Sequence, residues 1–318
     1  MFTGARKPQE LFQTCQSQLG GDAKLGVSAA LFDPNGNRRA EMGFNEQERF
    51  PMASVVKVPI AMLIASEIAN GALSLHEEIT IESRAASPGL ITNPLDRFYF
   101  LPFKTVRTHT VEQLMAFMLH ESDNTATDSL LRRLGGTSAV TKFLLGLRIE
   151  GICVKRTMHE LLTYYYDLQP SHGIGGILAA VRRITPAFRC RPDREEHLIH
   201  SGEETGTPRV IADLLKLLAM NSEYALAYLN MERCANKQRI AAGLKEHRVG
   251  LKSFGHKTGS VGAISNDVGI IQFNNGYFAV LAVMTCLSTV RMPVRDEQIA
   301  TVTRAVIRQW KTELLLGS

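Results

Sequence analysis

Residues 52–59 read Met-Ala-Ser-Val-Val-Lys-Val-Pro and lead directly into the apolar run Ile60–Gly71. This stretch places a hydroxyl and an amine three residues apart at the start of a predicted helix. At that spacing Ser54 and Lys57 share one helical face, so the lysine is placed to take the serine's proton. The alternative is structural: Ser54 caps the helix and Lys57 extends its ammonium group to water. Taken alone, the stretch leaves both interpretations open.

The bulk composition describes a chain that can bury a large core. Its 318 residues are 45% hydrophobic, which is enough for one or two domains. The 36 basic and 31 acidic residues give a mild formal net charge of +5. The richest basic stretch, residues 181–194, has five arginines but no accompanying aromatic or motif pattern. We therefore predict no nucleic-acid partner.

Cysteine spacing and apolar run length exclude further classes. The five cysteines are scattered and without C-x-x-C spacing: Cys15, Cys153, Cys190, Cys234 and Cys286. They predict free thiols, and neither a disulfide framework nor a metal site or other cofactor. The longest apolar tract, Tyr277–Val290, has 14 residues and is too short to span a membrane. Residues 1–16 lack the apolar run of a secretory signal. The protein is expected to be cytoplasmic, or periplasmic or secreted if a signal was trimmed.

Strand patterns occur near both ends of the chain, with helical patterns between them. Leu25–Asp33 alternates in the manner of a strand, Asp33–Asn37 is typical of a turn, and residues 38–44 return antiparallel. Later strands are predicted at Phe254–Ser260, Asn266–Phe273 and Gly276–Leu287. Helices are predicted at Val55–Asn70, Val111–Leu119, Thr125–Leu134, Pro208–Met220 and Val294–Leu316.

These patterns predict an α/β (α+β) fold in a single domain, 1–318. The terminal strands pair into one antiparallel sheet flanked by helices, formed by residues 20–60 with 250–318, and residues 61–249 form an all-helical lobe. Residues 163–200 are poorly periodic and are interpreted as an insertion with one helix at 177–184. A site is expected in the cleft between the lobes.

Two further triplets bear on the role of the Ser54–Lys57 pair. Ser122-Asp123-Asn124 precedes a predicted helix, and Lys257-Thr258-Gly259 lies in a predicted strand. Each tripeptide arises by chance in roughly a few per cent of chains this long. Together with S-x-x-K, and in this order, the set resembles the class A serine β-lactamases and the penicillin-binding proteins. The resemblance runs from about Leu25 to the last helix, and it implies a β-lactamase/transpeptidase-like fold.

The resemblance and elementary chemistry assign the first roles. Ser54 is the predicted nucleophile, because a hydroxyl is weak until a neighbouring base removes its proton. Lys57 is the predicted base, and it must be neutral for part of the time. Lys257, expected across the cleft, supplies the positive charge that favours this and holds a substrate carboxylate.

The S-D-N triplet is expected to handle the leaving group and the substrate amide. Ser122 is placed to pass a proton to the leaving nitrogen. Asn124 carries both a donor and an acceptor and can hold a substrate amide. The alternative interpretation of Ser122, and of Asn124, is that its side chain caps the helix that follows. Asp123 is predicted to be structural, buried against loop amides.

The K-T-G strand is expected to bind substrate through its backbone. Thr258 is predicted to bind a substrate carboxylate, and Gly259 lets substrate approach the backbone closely. The N–H groups of Ser260 and Ser54 are predicted to form an oxyanion hole, in which each donor is worth roughly a hundred- to a thousand-fold in rate.

The resemblance breaks where class A β-lactamases carry their hydrolytic glutamate. That glutamate lies two residues beyond an arginine and before a glutamate-leucine-asparagine run. The best match is Lys155–Leu162, in which Arg156 fits the arginine, Met158 takes the glutamate position and Leu162 the asparagine position. Losing a general base costs about a hundred- to ten-thousand-fold. Three residues remain as substitute bases, although surface or structural roles also suit them: Glu160, His159 and Asp167.

The predicted function is therefore a class A β-lactamase-like serine hydrolase with an altered deacylation loop. It would form an acyl-enzyme on a β-lactam or a related small-molecule amide or ester. One alternative is an acyltransferase, peptidase or esterase of a biosynthetic or cell-wall pathway with little β-lactamase activity. Another is a sensor that binds a β-lactam covalently and stays acylated.

Overall fold

The computed structural model describes residues 8–90, 92–100, 105–168, 190–245 and 250–316. The strands are β1 (Lys24–Phe32), β2 (Arg38–Phe44), β3 (Phe50–Pro51), β4 (Glu78–Glu82), β5 (Val106–Thr110), β6 (Thr205–Gly206), β7 (Leu251–Val261), β8 (Ile264–Phe273) and β9 (Phe278–Cys286). The helices are α1 (Pro8–Gln18), α2 (Lys57–Ala69), α3 (Val111–Ala116), α4 (Asn124–Arg133), α5 (Thr137–Gly146), α6 (Met158–Tyr166), α7 (Pro192–Ser201), α8 (Pro208–Met220), α9 (Ala225–Met231), α10 (Arg239–Leu244) and α11 (Met292–Leu316).

One antiparallel sheet combines strands from both ends of the chain, as predicted. Its order is β2-β1-β9-β8-β7. The central contact is between β1 and β9, which pair from Lys24 opposite Cys286 to Phe32 opposite Phe278. The strand with the K-T-G triplet, β7, lies at the edge of the sheet. An edge strand keeps one row of backbone N–H and C=O groups available for another partner.

The sheet is buried on both faces. Alternate residues of β9 pack in two different core clusters, one on each face. Leu281 and Val283 belong to a core cluster with α1 and α11, whereas Val280 and Ala282 belong to the larger cluster that includes α2 and α8. Side chains alternate across a strand, so a strand covered on both faces reads as a continuous apolar run. This explains why residues 278–286 contain hardly any polar residues.

The helical patterns are confirmed with small changes at their ends. The predicted helix Val55–Asn70 is α2, which begins at Lys57 after a 3-10 turn at Ala53–Val56. The predicted helix Val111–Leu119 is α3, which continues into a π-turn at Phe117–Glu121. Several elements were not predicted, because they are short or weakly periodic: α1, α5, α9, and the two-stranded pairs β3–β6 and β4–β5.

The segment interpreted as an insertion is anchored firmly at its described ends. Helix α7 carries Glu195, which is fully buried and accepts hydrogen bonds from the Tyr165 hydroxyl (2.5 Å) and from the N–H groups of Ala263 (3.1 Å) and Leu287 (2.7 Å). This one carboxylate joins α7 to α6 and to the sheet. The helix predicted at 177–184 lies outside the described residues, and the division into two lobes stays a prediction. The expectation that residues 61–249 are all-helical is wrong, because the short strands β4, β5 and β6 lie within them.

Two properties of the described residues bear on partners. No described helix is long and apolar enough to cross a membrane. No group of three or more His, Cys, Asp or Glu side chains in these ranges has the arrangement to hold a metal ion. The five cysteines all lie within the described ranges, and none of them is part of a disulfide.

Candidate active site

Ser54 lies in the tight turn between β3 and α2. It is 9% exposed, and neither the turn nor α2 has a side-chain hydrogen bond at its N-cap. The capping alternative for Ser54 is therefore wrong. The preceding residue, Ala53, has φ of +47°. A non-glycine residue in this region costs about 1–3 kcal/mol and persists only where its surroundings hold it.

Lys57 is the first residue of α2 and is fully buried. Its Nζ donates to the backbone oxygen of Ser122 at 2.6 Å and to Asn124 Oδ1 at 2.7 Å. It also lies 3.2 Å from Ser122 Oγ. The interpretation in which Lys57 reaches water is wrong, because its ammonium points into the protein.

Ser122 brings the three motifs together. It ends the π-turn in a left-handed conformation, with φ of +64°. Its Oγ lies 3.2 Å from Lys57 Nζ and 3.0 Å from Lys257 Nζ. Lys257 is also fully buried and donates to the Thr258 backbone oxygen at 2.9 Å. One hydroxyl thus lies between two buried amines from distant parts of the chain.

The two lysines have pKa values well below the usual range for an amine. Burial, and then the positive charge of Lys257, lower the pKa of Lys57 to about 7, against the opposing charges of Asp96, Asp123 and Asp128. Burial likewise lowers the pKa of Lys257 to about 8. Near neutral pH a substantial fraction of Lys57 is therefore uncharged, while Lys257 remains mostly protonated.

Two buried carboxylates fix the S-D-N loop. Asp123 caps α4 by accepting from the N–H of Ala126 at 2.8 Å, and it also accepts from the N–H of Leu95 at 2.7 Å. This is the structural role expected for Asp123. Asp96 accepts from the N–H groups of Asn124 (2.9 Å) and Thr125 (2.8 Å). Burial and the neighbouring Asp123 raise the pKa of Asp96 to about 8. No sequence pattern marked Asp96.

Asn124 uses both ends of its amide within the protein. Its Oδ1 accepts from Lys57, and its Nδ2 donates to the Pro88 backbone oxygen at 2.7 Å. One hydrogen of Nδ2 remains after these contacts. Asn124 therefore orients Lys57 and holds the loop containing Pro88.

Gly259 lets the edge strand β7 lie directly on the turn with Ser54. A Cβ at this position would come within 2.5 Å of the Met52 backbone oxygen and 3.2 Å of the Ser54 backbone nitrogen. No rotamer relieves a clash with backbone, so only glycine fits here. The K-T-G strand thus approaches the backbone of the Ser54 turn directly at Gly259.

Arg239 is a buried cation that the sequence analysis did not identify. It is 1% exposed and donates through Nη2 to Ser260 Oγ at 2.6 Å and through Nη1 to the backbone oxygen of Asn266 at 2.6 Å. Its Nε donates to Asp296 at 2.7 Å. The only local signal was an arginine before an apolar helix, and its position behind β7 follows from tertiary packing.

His256 adds charge behind Lys257. Its Nδ1 lies 2.9 Å from Asp267 Oδ1, and both side chains are buried. Burial alone lowers the pKa of His256, but the Asp267 carboxylate outweighs it and raises that pKa to about 10. The imidazole is therefore a cation at neutral pH.

Met158 is buried at the start of α6 and packs in the larger core cluster. Its N–H and that of His159 donate to the buried Asp128 at 2.7 and 2.8 Å. Glu160 is exposed, and its Oε2 accepts from the N–H of Thr157 at 2.8 Å in a capping box. The surface interpretation of Glu160 therefore agrees with the structure.

An ion pair joins the two ends of the segment that contains α6 and α7. Arg156 Nη2 lies 2.6 Å from Glu203 Oε2. Beside it, Glu204 Oε1 accepts from the N–H groups of Lys155 (2.9 Å) and Arg156 (2.6 Å). The two ends of segment 157–202 are thus held together next to α6.

The antiparallel sheet with its helices, and the Ser122 hydroxyl between two buried lysines, define the fold of a β-lactamase-like serine hydrolase. Residues 16–310 match the model of the "Beta-lactamase enzyme family", and the chain belongs to that family. The predicted resemblance and fold are confirmed.

Individual relatives agree with this assignment. The chain is 26% identical to "Beta-lactamase VEB-1" of Pseudomonas aeruginosa over 89% of this chain and 84% of that protein. It is 25% identical to "Beta-lactamase regulatory protein BlaB" of Streptomyces cacaoi over 77% and 80% of the two chains. Among solved structures, an ancestral class A β-lactamase superimposes with a TM-score of 0.70 at 23% identity, covering 95% of this chain and all (100%) of the other. That likeness shows the fold.

Proposed function

We propose that the protein forms an acyl-enzyme at Ser54 with a β-lactam or a related amide or ester. The observation that carries this proposal is the position of Ser122 Oγ, 3.2 Å from Lys57 Nζ and 3.0 Å from Lys257 Nζ. A hydroxyl between two amines with pKa values of about 7 and 8 can relay a proton in either direction near neutral pH.

In the proposed acylation, neutral Lys57 accepts the proton of Ser54 while Ser54 Oγ bonds to the substrate carbonyl carbon. The Ser54 hydroxyl makes no hydrogen bond to another described residue, so substrate binding must bring the two groups into reach, as is common for catalytic pairs. The N–H groups of Ser54 and Ser260 hold the developing oxyanion. The carbon–nitrogen bond then breaks, and Ser122 passes its proton to the leaving nitrogen while it takes up the proton that Lys57 received from Ser54, which returns Lys57 to its neutral form.

The wall along β7 suits an anionic substrate. Lys257 and the buried Arg239 are both cations there, and Thr258 and Ser260 offer hydroxyl groups. Arg239 already donates to Ser260 Oγ, so that hydroxyl can direct its own proton toward a substrate carboxylate. We propose that this wall binds the carboxylate and that Asn124 binds the substrate amide.

Deacylation is the step for which the described part of the chain offers few suitable bases. Three buried acidic side chains oppose the lowering of the Lys57 pKa, and each already accepts hydrogen bonds from backbone amides: Asp96, Asp123 and Asp128. Met158 has no proton-accepting group, and Glu160 caps α6. We therefore propose that the acyl-enzyme accumulates. A covalent β-lactam-binding protein is the second candidate, and Met158 is the observation that favours it.

Incubation with a penicillin, followed by intact-protein mass over time, tests the proposal. We expect the mass to rise by one penicillin, and we expect no rise for Ser54→Ala. Ser66→Ala is the matched control, because Ser66 lies near the other end of α2 and should react as the unmodified protein does. An adduct mapped to Ser122, or an adduct on Ser54→Ala, would overturn the assignment of the nucleophile.

The acylation rate is expected to follow a bell-shaped pH profile. It should rise as pH increases through about 7, where Lys57 loses its proton, and fall above about 8, where Lys257 loses its charge. Acylation rate constants measured across this range test both limbs. Lys257→Arg should remove only the descending limb, because a guanidinium stays charged. A rate that does not change between pH 6 and pH 8, roughly one unit on either side of neutrality, would contradict the roles given to the lysines.

A further inference from the structure

Asn266 connects the central strands to the segment that precedes the nucleophile. It lies in β8 and is fully buried. Its Nδ2 donates to the backbone oxygens of Pro51 at 2.9 Å and Met52 at 3.0 Å. Its Oδ1 accepts from the N–H of Thr285, on β9, at 3.0 Å. One amide therefore holds two consecutive carbonyl groups and is itself fixed by the neighbouring strand.

Those two carbonyl groups precede the strained residue. Ala53 follows Met52 and has φ of +47°, in the left-handed region that an alanine side chain disfavours. The Met52 oxygen also accepts from the N–H of Val55 at 3.1 Å, which closes the turn containing Ser54. The direction of the Pro51 and Met52 carbonyls thus fixes how the chain enters this turn.

Strand β7 also lies against the turn that contains Ser54. Gly259 of β7 pairs with Asn266 in the sheet, and a Cβ at Gly259 would clash with the Met52 oxygen. The turn is therefore held between the edge strand and the amide of Asn266. A relaxed turn would move the N–H of Ser54 away from Gly259, beside which it now lies.

We propose that Asn266 is a positioning residue that holds Ala53 in its left-handed conformation and thereby directs the hydroxyl and N–H of Ser54 toward the cleft. This inference rests on the proposed function in one respect, the role of Ser54 as nucleophile. Asparagine suits the position because a single nitrogen supplies two N–H donors while its oxygen accepts a third bond. Aspartate would place an oxygen against two carbonyl oxygens.

A double-mutant cycle between Asn266→Ala and Ala53→Gly tests the inference. We expect Asn266→Ala to lower the limiting acylation rate about a hundred-fold, as for a misplaced oxyanion donor, while the penicillin concentration at half-saturation changes little. Glycine adopts a positive φ without steric cost, so the same change in the Ala53→Gly background should lose only about ten-fold. Recovery by Ala53→Gly is a result that a merely structural role would not give.

The matched control is Asn45→Ala. The Asn45 Nδ2 also donates to a backbone oxygen, that of Leu25 at 3.0 Å, and Asn45 has a positive φ as well, but it lies outside the site. We expect its acylation rate to be unchanged. If Asn266→Ala does not fold, Asn266→Ser, which keeps one donor, enters the same cycle. Equal losses for Asn266→Ala in both backgrounds, or a loss no larger than that of Asn45→Ala, would overturn the inference.

Thermal unfolding distinguishes a failure of this inference from a failure of the proposed function. It is measured on the unmodified protein, on Asn266→Ala, on Ala53→Gly and on the variant with both changes. If the unmodified protein forms no adduct with penicillin, the proposed function fails, but the coupling between Ala53 and Asn266 is still measured by the unfolding temperatures. We expect Asn266→Ala to lower the unfolding temperature less in the Ala53→Gly background than in the unmodified one. Additive effects would show that Asn266 does not hold Ala53.

Discussion

Lys57→Arg is expected to abolish the acylation of Ser54, whereas Lys257→Arg is expected to keep part of it. Lys57 must lose its proton to act as a base, and a guanidinium stays protonated at any working pH. Removing a general base costs about a hundred- to ten-thousand-fold. Lys257 contributes charge at the β7 wall, which arginine preserves. The measurement is the rate constant for penicillin adduct formation in each variant, followed by intact-protein mass.

The surroundings of the two amines support this difference. Lys57 Nζ is enclosed by the Ser122 backbone oxygen and Asn124 Oδ1, so a larger planar group also disturbs its neighbours. Lys24→Arg is the control, because Lys24 forms only an exposed ion pair with Glu48 and should acylate normally. Equal loss in Lys57→Arg and Lys257→Arg would show that the division of roles is wrong.

The unmodified protein is expected to show a burst of about one equivalent of β-lactam followed by slow turnover. A burst is the kinetic sign of an acyl-enzyme that accumulates. Because Met158 occupies the predicted position of the hydrolytic glutamate, hydrolysis should be slower than acylation by roughly a hundred- to ten-thousand-fold. Stopped-flow absorbance of a chromogenic cephalosporin at several protein concentrations measures both phases.

Met158→Glu tests the cause of the slow phase. We expect it to increase the deacylation rate, with Met158→Gln as a matched control of similar size that adds no carboxylate. We expect the gain in deacylation rate to be partial. Met158 is 3% exposed, and burial raises the pKa of a glutamate, so that less of it is present as the carboxylate that acts as a base. Rapid, steady hydrolysis without a burst in the unmodified protein would contradict this account and direct attention to His159 or Glu160.

The sequence by itself determined the family, the sheet and the residues of the three motifs. S-x-x-K, S-D-N and K-T-G are local patterns, and their order along the chain is informative without coordinates. The terminal strands were readable for a similar reason: residues 25–33 alternate, and residues 276–287 form an apolar run bounded by a turn. Asp123 was correctly expected to be structural, because the S-D-N triplet precedes a helix and an aspartate there can accept from loop amides.

Only the tertiary structure decided the surroundings of Ser54 and Lys57. Capping and water exposure were open alternatives from the sequence. The lack of a side-chain hydrogen bond at the N-caps of the turn and of α2 excludes the first, and the burial of Lys57 excludes the second. A pKa of about 7 for Lys57 depends on desolvation and on a charge two hundred positions away along the chain. Neither effect is encoded in the spacing of a motif.

The supporting residues Asp96, Arg239 and Asn266 were likewise determined by tertiary structure alone. Each acts through hydrogen bonds to backbone groups distant in sequence: Asn266, for example, reaches Pro51 and Met52. A backbone carbonyl carries no sequence signal, because every residue has one. The motifs therefore specify which groups can react, and long-range packing specifies their charge and direction.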